Sequence, residues 1–168
     1  MNAAVFDARE KLKNVTPLKR DCGRICGARC CRSLDGEETG MLLFPGEEKA
    51  YAGKEGWKIL DAAAGKLVIC PGRCERDERP LSCRLFPLLP LTGDDGTVRA
   101  AVDLRAAAVC PLARQGMNAM DPAFTEAVRE AGERLAEEDE LALFLDVLEE
   151  EQQELRSLRE KLTGKNEK

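Results

Sequence analysis

Cys22-Gly23-Arg24-Ile25-Cys26-Gly27-Ala28-Arg29-Cys30-Cys31 and Cys70-Pro71-Gly72-Arg73-Cys74, with Cys83 following inside Arg79-Pro80-Leu81-Ser82-Cys83-Arg84-Leu85-Phe86-Pro87, decide how this chain is read. Seven of its eight cysteines lie in these two stretches, and Cys110 stands apart before Pro111. Scattered cysteines would read as small buried hydrophobes. Clustered ones, with Gly23, Gly27 and Gly72 free to turn the backbone tightly, read as sulfurs brought to one point. Converging thiolates repel one another unless a cation neutralises them, so the pattern points to a metal or a metal cluster. Within the two tight loops the gaps are three residues wide, apart from the adjacent pair Cys30-Cys31. Adjacent side chains diverge, so one of that pair ligates while the other packs, or each serves a different centre. Eight sulfurs fill two four-thiolate sites, or one site with redox-active spares. A zinc tetrathiolate and an iron–sulfur cluster both fit such ligands.

The chain has 168 residues and no histidine. No Ser-His, Cys-His or His-metal site can therefore be built from it. Its length suits one domain with a helical appendage, and a hydrophobic share of 43% suffices for a packed core. Aromatics make up only 4%, which leaves the core to aliphatic side chains. The opening residues, MNAAVFDAREKLK, carry charge from Asp7 onward and lack the apolar stretch of a signal peptide. No uncharged apolar run reaches transmembrane length. A cytoplasmic location, with no membrane contact, is the expectation. Thiols are kept reduced there, which favours metal or redox chemistry over structural disulfides.

The net charge of -5 is unevenly spread: residues 1–33 carry +5 and residues 121–168 carry -8. In the basic head, Arg24, Arg29 and Arg32 sit between or beside cysteines, where they offset thiolate charge. The second loop adds Arg73, Arg76, Arg79 and Arg84. Pro80 and Pro87 stiffen the chain beside Arg79 and Arg84, which reads as structural support for the ligand loops. The acidic overall balance argues against nucleic acid as a partner.

The expected fold class is α+β: a small metal-stabilised domain with irregular Cys loops and short β-hairpins over residues 1–118. A C-terminal helical pair packs on it over residues 119–168. Residues 1–20 read as irregular or weakly helical, with Pro17 as a stop. Met41 to Phe44 reads as a short strand, and Pro45 as the first turn of a helix across Gly46 to Ala52. Trp57 to Leu60 and Lys66 to Ile69 pair across a turn near Gly65, and Cys70 to Arg84 is a second Cys loop. Leu88 to Thr92 and Thr97 to Leu104 form a hairpin around Gly93-Asp94-Asp95-Gly96. Arg105 to Cys110 is extended or a single helical turn. Asp121-Pro122 starts a helix that runs to about Ala136, with Gly132 a tolerated weak point, and a second helix runs from Asp139 to Leu162 before Gly164. Leu141, Leu148, Leu155 and Leu162 recur every seven residues with Phe144 and Leu158 between them, and Glu151 breaks the seam. That pattern supports an intramolecular helix pair ahead of a homodimer or protein partner through residues 141–162.

Cys74-x4-Arg79-Pro80-x2-Cys83-Arg84-x-Phe86-Pro87, preceded by a Cys-rich loop ending in Cys30-Cys31, resembles the YkgJ-like zinc- or iron-chelating cysteine-cluster family. That family is related to flagellin lysine N-methylases, and the resemblance spans residues 20–112. It implies a metal centre more firmly than a reaction. It makes Cys26, Cys30, Cys31, Cys74 and Cys83 the first ligand candidates, followed by Cys22, Cys70 and Cys110. The gaps of three and the methylase kinship lean towards an iron–sulfur cluster, of the [4Fe-4S] kind, over zinc. Three functions follow. One is a cysteine-cluster metal-binding module, whose metal-free chain would lose structure. Another is an iron–sulfur enzyme, such as an S-adenosylmethionine-dependent protein-lysine N-methylase, for which Asp94, Asp95 and Asp103 are the acidic residues of the middle hairpin. Its Gly-rich nucleotide-binding turn is not recognisable in the sequence. The last is an adaptor using the acidic C-terminal helices, which calls for an exposed Leu141/Leu148/Leu155 stripe. No catalytic residue is assigned.

Overall fold

The computed structural model describes residues 2–32, 40–72, 74–93 and 95–164. Arg73 and Asp94 lie outside these residues. The chain begins with α1 (Ala3–Lys11), capped by Asn2, whose side chain accepts the Ala4 N–H at 2.8 Å. This is a regular helix where the sequence suggested an irregular or weakly helical segment. Ala4, Val5, Ala8 and Leu12 are all fully buried, so the helix is held by close packing of small side chains against the later helices. The first Cys loop follows, with a single turn of helix, α2 (Gly23–Cys26).

Three short strands, β1 (Met41–Leu43), β2 (Lys58–Ala62) and β3 (Gly65–Ile69), form an antiparallel sheet in the order β1-β3-β2. The β2–β3 hairpin is the one expected, with Ile59 opposite Val68. The helix expected across Gly46 to Ala52 does not form. Gly46 has φ +87, a left-handed conformation that interrupts any helix, and only a 3-10 turn over Glu48–Ala50 remains. Leu43, Tyr51 and Val68 make a small core under this sheet, with Trp57 stacked on Tyr51 at 4.8 Å.

The second Cys stretch is not loop throughout. It closes on α3 (Leu81–Leu85), which carries Cys83 and starts after Pro80. β4 (Leu88–Thr92) and β5 (Val98–Val102) then form the expected hairpin, and Asp95 makes its turn by accepting the Thr97 N–H at 3.0 Å. Asp103 caps a 3-10 turn over Leu104–Ala108, which leads through Cys110 into α4 (Pro111–Gln115).

The C-terminal pair is α5 (Pro122–Ala136) and α6 (Asp139–Thr163), both near the expected bounds. Asp121 caps α5 by accepting the Ala123 N–H at 3.0 Å. Both helices cover the β4–β5 hairpin, and with α1, α3 and β4 they enclose the main apolar core. Gly132 proves to be a required close approach, because a Cβ there would lie 2.3 Å from Pro90 Cβ and 2.6 Å from Val98 Cγ1. The seven-residue stripe divides: Leu141 and Leu148 are buried in the chain's own core, while Leu158 and Leu162 are exposed. The exposed stripe that an adaptor would need is therefore absent at Leu141 and Leu148. Glu151, the break in the stripe, pairs with Arg105 at 3.0 Å. Among the described residues no helix is long and apolar enough to cross a membrane.

Candidate metal centre

All eight cysteines line one cavity of about 920 Å³. The cysteines reach it from four separate stretches of chain: the first loop, the turn after β3, α3, and the start of α4. Cys110, remote in sequence, thus joins the others. Each of the eight is a free thiol, and Cys30 is the exposed one.

In the first loop, α2 sets Cys22 and Cys26 one helical turn apart, with Cys26 N–H reaching the Cys22 carbonyl at 3.5 Å. Gly27 and Ala28 are both left-handed, at φ 67 and φ 54. Two consecutive left-handed residues reverse the chain into a 3-10 turn over Arg29–Cys31, which brings Cys30 back towards Cys22. Ala28 adopts this conformation without the freedom of glycine, which marks the bend as strained. In the second stretch, Cys70 directly follows β3 and Gly72 turns at φ +79. A Cβ on Gly72 would lie 3.2 Å from the Cys31 carbonyl oxygen, so the two loops meet there.

The sulfurs shape one another's acidity. Burial first, then Cys26, Asp21 and Cys110, raises the Cys22 pKa. Burial, followed by Cys31, Cys74 and Cys70, pushes Cys83 well up. Cys74 is raised by burial and by Cys70, against the pull of Arg79. Cys30 and Cys31 share a thiol hydrogen bond, which raises Cys30 and lowers Cys31 to about 6, with Arg79 adding to the lowering.

Arg79 sits among Cys74, Cys31 and Cys83. Its Nε is buried and, among the described residues, has no hydrogen-bond partner. A buried guanidinium N–H left without an acceptor is costly and calls for an anion or an acceptor beside it. The donor set around it, soft sulfur with a fixed cation, suits an anionic thiolate–metal centre. The sulfurs are nevertheless not gathered for a single ion. Among the described residues no group of three or more Cys, Asp or Glu side chains is placed to hold one.

Arg84 holds the loop that carries these groups. Its Nη1 donates to the Arg9 carbonyl at 3.0 Å, its Nη2 to the Asp77 carbonyl at 3.0 Å, and its Nε to the Arg79 carbonyl at 3.2 Å. The supporting role expected for Arg84 matches these bonds. Sequence reasoning named Arg76 as a basic residue of the loop but did not find its ties to α1, nor the roles of Arg9, Glu47 and Tyr51. Arg76 donates to the Leu12, Lys13 and Val15 carbonyls at 3.0, 2.6 and 2.6 Å, tying the 3-10 turn of Arg76–Glu78 to the end of α1. Arg9 donates to Glu47 Oε1 at 3.3 Å, the Tyr51 hydroxyl at 3.2 Å and the Asp77 carbonyl at 2.8 Å. Tyr51 donates in turn to the Glu78 carbonyl at 2.9 Å. Glu47 also accepts the N–H groups of Leu81 at 2.9 Å and Phe44 at 3.1 Å, which fixes the start of α3 two residues before Cys83. The only local signal of this network is Glu47 placed three residues after Phe44, a spacing that lets a carboxylate reach back to a backbone N–H.

Asp103, considered above with Asp95 for an enzyme site, is engaged structurally. It accepts Arg105 Nε at 3.0 Å and Gln152 Nε2 at 3.1 Å. Compared with family models, curated proteins and solved structures, the chain matches none.

Proposed function

We propose that this chain is a cysteine-cluster metal-binding protein of the kind its YkgJ-like motif implies, and that its thiols take up iron as an iron–sulfur centre. One observation carries the reading: eight free thiols from four stretches of chain line one cavity, with a partnerless buried Arg79 Nε among three of them. Arg79 is half-buried and its side chain hydrogen-bonds Cys74, while its buried Nε still lacks an acceptor, which favours an anion beside it. A single zinc ion binds sulfur at about 2.3 Å and needs its ligands nearly in contact. A polynuclear cluster has an inorganic core between its thiolates and accepts a wider spread.

The residues that would hold the centre are drawn from Cys22, Cys26, Cys30, Cys31, Cys70, Cys74, Cys83 and Cys110. When bound, an iron–sulfur centre supplies one-electron chemistry or an open coordination position. Arg79 holds fixed positive charge beside Cys31, Cys74 and Cys83, offsetting repulsion among their thiolates. Arg84 keeps the Arg79 backbone in place. Elemental analysis and a visible spectrum of anaerobically purified protein test the proposal. Iron with acid-labile sulfide and a visible chromophore is the expected result. Colourless protein with stoichiometric zinc would overturn the iron–sulfur assignment, and protein that binds neither metal would overturn metal binding altogether.

A further inference from the structure

We infer that the cavity extends beyond its cysteines, and that its apolar end is a binding site for an uncharged aromatic or alkyl molecule. This goes beyond the metal-binding reading and does not depend on it.

Four elements build the apolar end: β1, β3, β4 and α6. None of them carries a cysteine. Leu42 and Leu67 stand opposite each other across β1 and β3, and both are half-buried with the cavity beside them. Leu89 of β4 and Phe144 and Leu148 of α6 supply more of the wall. The Phe144 ring reaches the start of β3, where a Cβ on Gly65 would lie 3.8 Å from it. β3 therefore runs along the cavity, from Phe144 beside Gly65 to Cys70 just past its end. Three residues of extended chain separate Leu67 from Cys70, roughly 10 Å at about 3.3 Å per residue. A metal bonded to sulfur at about 2.3 Å stays at the Cys70 end and leaves the Leu67 end open.

The chemistry of the walls selects the ligand. Asp103, Arg105 and Glu151 also border the cavity, but Arg105 pairs with both carboxylates at 3.0 Å, so these charges are satisfied by one another. Among the described residues, Arg79 Nε is the one buried side-chain N or O atom without a partner, and it lies on none of the four elements. An apolar hollow whose polar groups are already paired offers water few partners and would leave a buried charge uncompensated. It is suited to an uncharged apolar molecule. At about 920 Å³ the whole cavity stands at the upper end of the range that holds a small organic ligand, which leaves room for a metal centre and an apolar molecule side by side.

The test uses N-phenylnaphthylamine, a neutral fluorophore that brightens in apolar surroundings, on the reduced full-length chain before and after loading with ferrous iron and sulfide. Saturable binding of one equivalent in both states is expected. Anilinonaphthalene sulfonate, which adds a negative charge to the same ring system, should bind more weakly. Leu67→Gln should weaken the neutral probe by about tenfold or more, because it turns an amide into the apolar wall. Leu158→Gln, at an exposed leucine outside the cavity, should leave binding unchanged. A nitrogen–proton correlation spectrum of the unmutated chain locates the probe without any variant, with shifts centred on Ala64, Leu67, Leu89 and Phe144. Unsaturable binding, equal or tighter binding of the sulfonate, an unaffected Leu67→Gln, or shifts centred elsewhere would overturn the inference while leaving metal binding intact. Binding lost on iron loading would place the probe among the sulfurs and overturn it likewise. Failure to load iron, with the probe still bound at one equivalent, would overturn the metal-binding reading and leave this inference standing.

Discussion

Replacing Glu47 by Ala should be among the most damaging single changes in this chain, although the residue is far from the cysteines in sequence. Glu47 is fully buried, and its carboxylate serves three donors at once: Arg9 and the N–H groups of Leu81 and Phe44. Removing one partner of a buried ion pair costs about 3–5 kcal/mol, because the surviving charge loses its counter-ion. Each stranded buried N–H costs a further 1–3 kcal/mol or so before relaxation. The terms overlap, so a loss of about 4–6 kcal/mol is expected, a large share of the stability of a domain this size. Glu47→Gln keeps one acceptor and turns an amide donor towards another donor, for a loss of about 1–3 kcal/mol. Urea denaturation followed by far-UV circular dichroism, on reduced and metal-free protein, measures both. A loss below about 1 kcal/mol for Glu47→Ala, in the range of surface substitutions, would refute the role given to this network. The pH dependence offers a separate check. Burial raises the Glu47 pKa, against the pull of the two backbone N–H groups and of Arg9 and Arg84. With its folded pKa above its unfolded value, its contribution is full in acid and declines as pH rises through the folded value. The advantage of the native chain over Glu47→Gln should therefore shrink from acid towards neutral pH. An advantage that grows instead would show that pairing with Arg9 outweighs burial.

Gly132→Ala adds about 1 kcal/mol of helix propensity but drives a methyl into Pro90 and Val98. Overpacking at about 1–3 kcal/mol should win and lower Tm, and a raised Tm would refute the contact. Leu148→Ala should cost about 2–5 kcal/mol, whereas Leu158→Ala, on the exposed part of α6, should stay within about 0.5 kcal/mol by the same denaturation assay. Arg79→Gln should lower the iron retained after desalting with no change in helical circular dichroism, and full retention would remove Arg79 from the site. Chelation of the metal-loaded protein should leave the far-UV spectrum nearly unchanged, and loss of most helix would show that the core depends on the metal.

The legible features were those whose signal is local. Asp121 before Pro122 announces a helix start wherever it stands, and Gly93 to Gly96 between two apolar runs announces a turn. The cysteine spacing predicted sulfurs brought to one point; all eight line one cavity, but among the described residues no three are placed to hold an ion. α1 was under-read because its buried face is built from Ala4, Ala8 and Val5, which give little apolar contrast with the solvent face. A helix after Pro45 was over-read because the left-handed conformation of Gly46 depends on contacts the local pattern does not carry. Gly132 reads identically in sequence whether it is a defect or a close approach, and only the position of Pro90 distinguishes the two. The buried network was invisible for a similar reason. Arg9 reaches partners 38, 42 and 68 residues away, and no short-range spacing encodes such pairings.

The metal-binding reading at first carries the corollary that a metal-free chain collapses, as small cysteine-ligated domains do. The distribution of the core argues otherwise. The main apolar cluster, built from α1, α3, β4, α5 and α6, includes no cysteine. The second Cys stretch is tied to that core through carbonyls held by Arg9, Arg76 and Arg84 and through the Glu47 carboxylate. These bonds owe nothing to a ligand. The first loop differs. Neither α2 nor the 3-10 turn after it contains a buried residue, and its bonds run largely within itself, from Gly23 to Asp21 and from Ala28 to Gly23. One half of the donor array is thus fixed by the fold, while the other is held by little more than its own turns. Under the metal-binding function proposed above, binding energy would go into drawing the first loop onto the second stretch. Chelation should register as increased alkylation of Cys22, Cys26 and Cys30 long before it registers as lost helix.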